Sequence, residues 1–271
     1  MNICLILEAK YLLLNHKYKF TDLYEFSRGA DYVQGGINLA NDYFDKNLRD
    51  MTLIEKLDLI DNIKNSNCFI ENDLNILVCL SHDKDDEIRA RVAEVIVFSD
   101  SLTAEKILIE LLKDKAELVR VNACDSLCNS NSIKVLKLLK ETILMDKSSL
   151  VKGYAALSIA DIATRINYNA EELIEFFKSA VKKEKVNWVK INFYKALYML
   201  GDESYLDILI NELNNKFYRN RCAIVNILSE IVTHENLTKI RAALIERLKI
   251  EKTFAVSSTI EKVIQYITEQ Y

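Results

Sequence analysis

The chain has 271 residues, of which half are hydrophobic, with 5 glycines and no proline. The formal net charge is −4 and the pI is near 5.6. This argues against a general polyanion-binding surface, because nucleic-acid-binding domains usually carry a basic stripe and a high pI. The glycines are too scattered for a dinucleotide or P-loop motif. No apolar stretch is long enough to span a bilayer.

The first 66 residues do not follow the pattern of the rest of the chain. Helices are predicted near 3–14, 20–28, 31–46 and 51–65. The first of these is interrupted by Glu8 and Lys10 and lacks a cleavage site, so it is interpreted as an amphipathic helix and not a signal peptide. We interpret residues 1–66 as a cap that shields the first repeat. The alternative is a specialised binding surface, because this segment is rich in the aromatic residues that anchor interfaces.

A repeated pattern begins after this segment. Asp114 lies six residues before Arg120, and Val119, Ala123 and Leu127 follow one another at every fourth position, on one helical face. The position of Val119 recurs at 88, 119, 151, 189, 220 and 256. The intervals of 31, 32, 38, 31 and 36 residues are the size of a two-helix repeat.

Each repeat is predicted to contain two helices joined by a turn that carries the acid. The first helices are predicted near 70–82, 103–113, 132–145, 169–183, 203–214 and 235–249. The second helices are predicted near 86–98, 117–128, 149–165, 187–200, 217–232 and 254–269. Strand-like alternation is absent, so the sequence predicts an all-α fold.

The repeat resembles the HEAT family, whose units carry an Asp in the turn and a V-R-x-x-A-like start to the second helix. The resemblance covers roughly residues 70–271. It implies a right-handed α-solenoid of about six helix pairs, formed by residues 67–271, behind the irregular helical cap. The chain departs from the family in having no proline, and its last two copies lose the Asp or the Arg.

The repeated acids and bases are predicted to be structural. In the resembled family, the base pairs with turn acids of its own and neighbouring units. The resemblance therefore implies a ladder inside the stack formed by Asp83, Arg89, Asp114, Arg120, Asp146, Lys152, Glu184, Lys190 and Arg221.

The opposite face of the second helices is the predicted binding surface. At 100° per residue it carries the positions two, three, six and ten beyond the Val119-like position, and by resemblance it lines the concave side. The predicted partner-binding residues are Arg91, Glu94, Phe98, Asp125, Tyr154, Leu157, Asp161, Asn192, Lys195 and Glu230. The face holds more acids than bases, which suits a phosphate backbone poorly. Its apolar members, predicted to be exposed, are Phe98, Val121, Tyr154, Leu157, Ile191 and Tyr266, and a contiguous apolar patch is typical of a protein interface.

Metal and cofactor sites are not predicted. The 6 cysteines form no C-x2-C pair, and the 3 histidines have no ligand-like neighbours. Cys124 and Cys128 lie four residues apart, but no second pair completes a tetrahedral site. The cysteines are interpreted as free thiols of a protein in a reducing compartment, the cytoplasm.

The sequence favours a non-enzymatic protein-binding module without a cofactor. The Asn-, Lys- and Ile-rich composition is typical of an AT-rich bacterium, and one hypothesis is an immunity protein that neutralises a basic toxin. Two enzyme alternatives follow from related solenoids. One is a HEAT-like DNA glycosylase, whose W-V-R segment resembles Trp188-Val189-Lys190, and the other is a protein modifier like the bilin lyases.

Overall fold

The structure is a computed structural model that describes residues 48–65, 71–98 and 101–271. These residues form α-helices, short 3-10 helices and turns, and no strand occurs within the described ranges. The all-α prediction is confirmed. The helices predicted near 3–14, 20–28 and 31–46 lie outside the described residues.

The described α-helices are named here in chain order. They are α1 Leu53–Asn65, α2 Glu71–Leu80, α3 Asp86–Val95, α4 Leu102–Leu111, α5 Glu117–Ser126, α6 Ile133–Met145, α7 Ser149–Arg165, α8 Ala170–Lys183, α9 Asn187–Met199, α10 Ser204–Asn211, α11 Tyr218–Glu230, α12 Leu237–Ile250 and α13 Phe254–Gln270. Three 3-10 helices, Ile96–Phe98, Leu127–Asn129 and Glu212–Asn214, continue α3, α5 and α10. The six predicted helix pairs are confirmed, with ends that differ by a few residues.

The chain divides into two compact units, one that ends at Ile107 and one that comprises Leu108–Tyr271. In the first unit, α1 and α2 both pack against α3. In the second, the second helices of successive repeats pack in order, α5 on α7, α7 on α9, α9 on α11 and α11 on α13. The boundary between cap and repeats near residue 66 stays a prediction.

The apolar stripe of each second helix forms the core. Val119 and Ala123 have no exposed surface, and Leu127 is 1% exposed. Burying a large aliphatic side chain of this kind contributes about 1.5–3 kcal/mol. The same stripe continues through Ile224 and Leu228 into a cluster that joins α9 to the last two helix pairs.

The longest repeat interval falls where α7 has 17 residues, against 10 in α5. Asn167, two residues after the end of α7, has a left-handed φ of 50°. The N–H of Tyr168 donates to the carbonyl of Ala163 at 2.9 Å. Asn is one of the few residues that adopts this conformation at a helix end. The extra length of α7 provides Asp161 of the predicted binding face, whereas Tyr154 and Leu157 lie within its first ten residues.

No helix in the described ranges is both long and apolar enough to cross a membrane.

The ion-pair ladder and the candidate partner-binding face

Every turn acid, and the Asn that replaces one of them, closes the turn before the second helix. The side-chain oxygen of Asp114 accepts from the N–H of Ala116 at 2.8 Å, and that of Glu251 accepts from Thr253 at 2.8 Å. The same bond occurs at Asp83, Asp146, Glu184 and Asn215. The bond needs only an oxygen acceptor, which explains why an Asn can replace the acid in one repeat.

The second carboxylate oxygen connects neighbouring repeats. Arg120 donates through Nε and Nη2 to the two oxygens of Asp146, at 2.7 and 3.1 Å, and through Nη1 to the carbonyl of Asp114 at 2.8 Å. Its own turn therefore supplies a carbonyl, and the next turn supplies the carboxylate. Arg89 makes the same carbonyl bond to Asp83, at 2.8 Å.

Arg221 repeats this arrangement in the last junction. Its Nε and Nη2 each donate to the carboxylate of Glu251 at 2.8 Å, and Nη1 donates to the carbonyl of Asn215 at 2.8 Å. Arg247 adds a further bond to Glu251 at 2.6 Å, and the Glu251 side chain is only 1% exposed.

The lysine members of the ladder are held less tightly. Lys152 lies 3.6 Å from a carboxylate oxygen of Glu184. The side chain of Lys190 has no hydrogen bond or ion pair with any residue that the structure describes, since the next turn carries Asn215 in place of an acid. The structure therefore joins an acid and a base at three of the four junctions between successive repeats of the second unit, and Glu251, the acid of the last junction, was not among the predicted ladder residues.

One ladder pair was missed in the sequence. Lys56 of α1 is 7% exposed, and its Nζ lies 2.6 Å from a carboxylate oxygen of Asp83. Asp50 lies six residues before Lys56, the same gap as in the other repeats. That spacing was the available signal, and it was hidden because Glu55 stands at a position that is apolar in five of the six other copies, Asn220 being the exception.

The ladder bonds lower the pKa of the acids. Burial alone would raise the pKa of Asp146, but the hydrogen bonds from Arg120 and from the Ser148 N–H outweigh it and hold the pKa below its ordinary value. At Glu251 burial is again opposed, by Arg221, the Thr253 N–H and Arg247, and the pKa lies far below its ordinary value.

The charged residues on the predicted binding face of the first unit form ion pairs with oppositely charged side chains. Arg91 bonds to Asp61 at 2.5 Å and to Glu94 at 2.6 Å, and Lys64 bonds to Glu94 at 2.7 Å. These charges neutralise one another across α1 and α3. The side chain of Phe98 lies outside the described part of the chain.

The face of the second unit, called the acidic face below, has six members. They are Asp125 of α5, Tyr154, Leu157 and Asp161 of α7, Lys195 of α9 and Glu230 of α11. Lys195 forms an ion pair with Glu230. Asp125 is exposed, whereas Tyr154, Leu157 and Asp161 are partly buried.

Asp161 differs from every ladder acid. Its carboxylate accepts no hydrogen bond from the residues that the structure describes. Burial raises the pKa of Asp161, opposed by the nearby charges of Lys195 and Arg165 and assisted by Glu230. Burial likewise raises the pKa of Tyr154, with a further contribution from the negative charge of Asp125. The acidic face thus contains Asp125 near Tyr154. It also contains the half-buried Asp161, which has no hydrogen-bond partner among the described residues.

Three positions predicted to be exposed on this face are buried. Asn192 is 2% exposed, Val121 is 7% exposed and Ile191 has no exposed surface. The prediction was wrong because each second helix packs against the preceding and the following second helix as well as a first helix, so its buried arc is wider than one stripe. Tyr266 is exposed as predicted, and Lys262, one turn earlier on the same helix, is exposed as well.

Asn192 belongs to a close contact between α7 and α9. Its Nδ2 donates to the carbonyl of Trp188 at 2.8 Å. A Cβ at Gly153 would lie 3.0 Å from Nε1 of Trp188 and 3.1 Å from Nδ2 of Asn192. Gly153 thus allows the two helices to approach, and Trp188 lies against α7 with its Nε1 buried and without a hydrogen-bond partner in the described structure.

No group of three or more potential metal ligands is present among the described residues. Cys79, Cys124, Cys128 and Cys222 are free thiols. Burial raises the pKa of Cys124 far above its ordinary value, so it does not act as a thiolate at neutral pH.

Comparisons with known proteins agree with this architecture. Residues 75–160 match a family model described as HEAT repeats. A solved structure entitled as the complex of CpcE and CpcF of phycocyanin lyase from Nostoc sp. PCC7120 aligns with a TM-score of 0.54 at 15% identity, and the alignment covers 87% of this chain and 97% of that one. A designed armadillo repeat protein aligns with a TM-score of 0.32 at 18% identity, over 70% of this chain and 98% of that one. A comparison with curated protein sequences gives no match. Residues 75–160 are thus similar to HEAT repeats, and the alignment with the lyase complex shows a shared fold.

Proposed function

We propose that the chain is a non-enzymatic module that binds a basic protein partner over the acidic face of its second unit. HEAT-like repeats are generally scaffolds for protein–protein interaction, which supports the general class. The observation that carries the specific proposal is Asp161, a half-buried carboxylate without a hydrogen-bond donor among the described residues, beside partly exposed Tyr154 and Leu157.

The charge around Asp161 indicates which kind of partner fits. Lys195 is neutralised by Glu230. Arg165 is occupied by the carbonyl of Cys128 at 3.0 Å and by Oδ1 of Asn129 at 3.2 Å. The carboxylate of Asp161 therefore has no hydrogen-bonded cation among the described residues, although the charge of Arg165 lies near it, and the partner is expected to supply one.

An arginine of the partner suits this site best. Its guanidinium can donate two parallel hydrogen bonds to a carboxylate while it stacks on an aromatic ring. Asp161 offers the carboxylate, and Tyr154, two turns earlier on the same helix, offers a ring to a neighbouring side chain of the partner. A hydrogen bond to a charged group contributes about 1.5–3 kcal/mol, enough to make Asp161 a centre of the interface.

A narrower form of the proposal is a bacterial protein that neutralises a basic toxin by covering it. The acidic face supports this form, because a nuclease toxin needs a basic surface to bind its phosphate substrate. The proposed location is the cytoplasm.

The enzyme alternatives have less support. The likeness to phycocyanin lyase is a likeness of fold at 15% identity, and no described residue favours bilin chemistry. The glycosylase alternative relied on Trp188, which lies against Gly153 of α7 and is poorly placed to stack on a base.

Affinity capture from the native cell extract tests the proposal. The intact chain should retain one stoichiometric basic protein, and high salt should release it. Replacement of both Tyr154 and Leu157 by Ala should abolish retention. Asp161→Asn should weaken the affinity about tenfold, the loss of one charge-assisted bond. Asp161→Asn should also leave the unfolding temperature unchanged or raise it, because it removes a partly desolvated charge.

Glu175→Gln is the matched control, since Glu175 is an exposed acid of the first helix α8 and should not affect binding. The proposal is wrong if the purified partner binds Asp161→Asn as tightly as the intact chain, or if the captured molecule is a nucleic acid.

A further inference from the structure

In all six repeats, a lysine directly follows the turn acid or the Asn215 that replaces it. These residues are Lys84, Lys115, Lys147, Lys185, Lys216 and Lys252. All six are exposed, and none forms an ion pair within the described structure. Lys84 lies in the first unit. The other five lie in the second unit and are called the lysine edge below.

The five lysines lie along one edge of the second unit. Each precedes the start of a second helix, and these helices pack in succession from α5 to α13. The ion pairs Arg120–Asp146, Lys152–Glu184 and Arg221–Glu251 place the beginnings of neighbouring helices side by side. Helices pack about 8–10 Å apart, so the lysine edge is about 40 Å long.

The exposed charge of this edge is positive although the chain as a whole is acidic. The ladder acids point inward, and the side chains of Asp146, Glu184 and Glu251 are 10%, 12% and 1% exposed. In the last four turns, no other acid lies between the ladder acid and the position of the ladder base. The lysines there meet solvent without a local counter-charge.

Apolar side chains are exposed between these lysines. Leu118 is 57% exposed, Leu150 42%, Val186 44%, Phe217 55% and Phe254 85%. Each lies within four residues of a lysine of the edge in the sequence. Exposed apolar residues that recur along one edge, and are not scattered singly, are typical of an interaction surface.

We propose that the lysine edge binds an extended acidic segment of a protein partner, in which carboxylates recur at about every third residue with apolar side chains between them. An extended chain advances about 3.3 Å per residue. Three residues therefore cover the spacing of about 10 Å between neighbouring turns. A segment of about 12 residues reaches all five lysines.

Spacing and charge favour a polypeptide over the other anionic partners. Phosphates follow one another at about 3.4 Å along one strand of a nucleic acid, much closer than one lysine per repeat. An anionic membrane extends beyond the edge and would be repelled by the rest of a chain with net charge −4. A short acidic segment would contact the lysine edge without approaching the acidic remainder of the chain.

A labelled peptide of about 12 residues, with Glu at every third position and Leu and Ser between, is the probe. Its fluorescence anisotropy should report binding to the intact chain at low salt. Replacing Lys147, Lys185 and Lys216 together by Ser should weaken the affinity about tenfold or more. Replacing Phe217 and Phe254 by Ser should also weaken it, because the apolar contacts are lost.

The matched control replaces Lys134, Lys137 and Lys262 by Ser, since these lysines are exposed, unpaired in the described structure and away from the turns. It changes the net charge equally and should leave the affinity within about twofold. Equal weakening by the two triple variants would overturn the proposal. It would also be overturned if a peptide of the same composition with its acids clustered at one end bound as tightly.

Oligothymidylate and phosphatidylserine vesicles complete the test. Tighter binding of either one, lost on replacement of the three edge lysines, would assign the edge to that anion and overturn the polypeptide proposal. Asp161→Asn should leave peptide binding unchanged. The experiment therefore tests the proposal for the lysine edge separately from the proposal for the acidic face.

Discussion

Two junctions of the second unit show what the ladder adds to the fold. Between α11 and α13, Arg221 and Arg247 enclose a nearly inaccessible Glu251. Between α9 and α11, Asn215 stands where an acid would be, and Lys190 has no ion pair with the described residues. Both turns nevertheless have the same backbone bond from the second residue after the capping side chain. Closing the turn and coupling the repeats are therefore separate functions of one side chain.

The largest predicted effect separates these functions by truncation. Glu251→Ala should lower the free energy of unfolding by about 3–5 kcal/mol, because it leaves the buried guanidinium of Arg221 without its carboxylate. Asn215→Ala removes the turn bond and the side-chain bonds with Glu212 and Asn220, but it leaves no buried charge unpaired and should cost about 1 kcal/mol. Urea unfolding of the two variants measures the contrast, and equal losses would contradict it.

Acid should weaken the two junctions unequally. The pKa of Glu251 is lower in the folded chain than in the unfolded chain. Its contribution to stability is therefore complete above its ordinary pKa, near 4.5, and decreases as the pH falls below that value. Urea unfolding between about pH 6 and pH 3 should show a smaller loss for Glu251→Gln than for the intact chain. Parallel curves for the two proteins would be inconsistent with the lowered pKa.

The helix α9 lies between a sterically tight junction and the unpaired one. Gly153→Ala should cost about 1–3 kcal/mol, since its Cβ would meet Trp188 and Asn192. Trp188→Phe removes the closest atom, so the double variant should recover part of the loss. Thermal unfolding of both single variants and the double variant measures the recovery, and strictly additive losses would locate the strain elsewhere.

The smallest predicted effect restores the missing pair. Asn215→Asp should raise the free energy of unfolding by up to about 1 kcal/mol, because a partly exposed ion pair with Lys190 contributes little. The gain should disappear when Lys190 is replaced by Met. Persistence of the gain in that background would assign it to the turn itself.

The repeat pattern predicted the helix pairs and placed the ladder because both depend on local spacing. It did not predict Asn192 and Ile191 as buried, since their burial comes from helices distant in sequence that pack on a second side of α9. Lys56 was missed for another reason, the charged Glu55 at a position that is apolar in every other copy except that of Asn220. The apolar stripe marks the other repeats, whereas the six-residue gap from Asp50 to Lys56 is the feature that marks this one.

The junctions also differ in their chemistry, and this difference bears on folding. Arrays of similar units are prone to pairing with the wrong neighbour while they fold. Here one junction joins Arg to Asp, the next joins Lys to Glu, the next has no ion pair and the last joins Arg to Glu. A unit stacked out of order would meet a partner of the wrong length or charge. The irregular ladder thus makes the junctions chemically distinct, so that a misordered array would join bases and acids of different lengths.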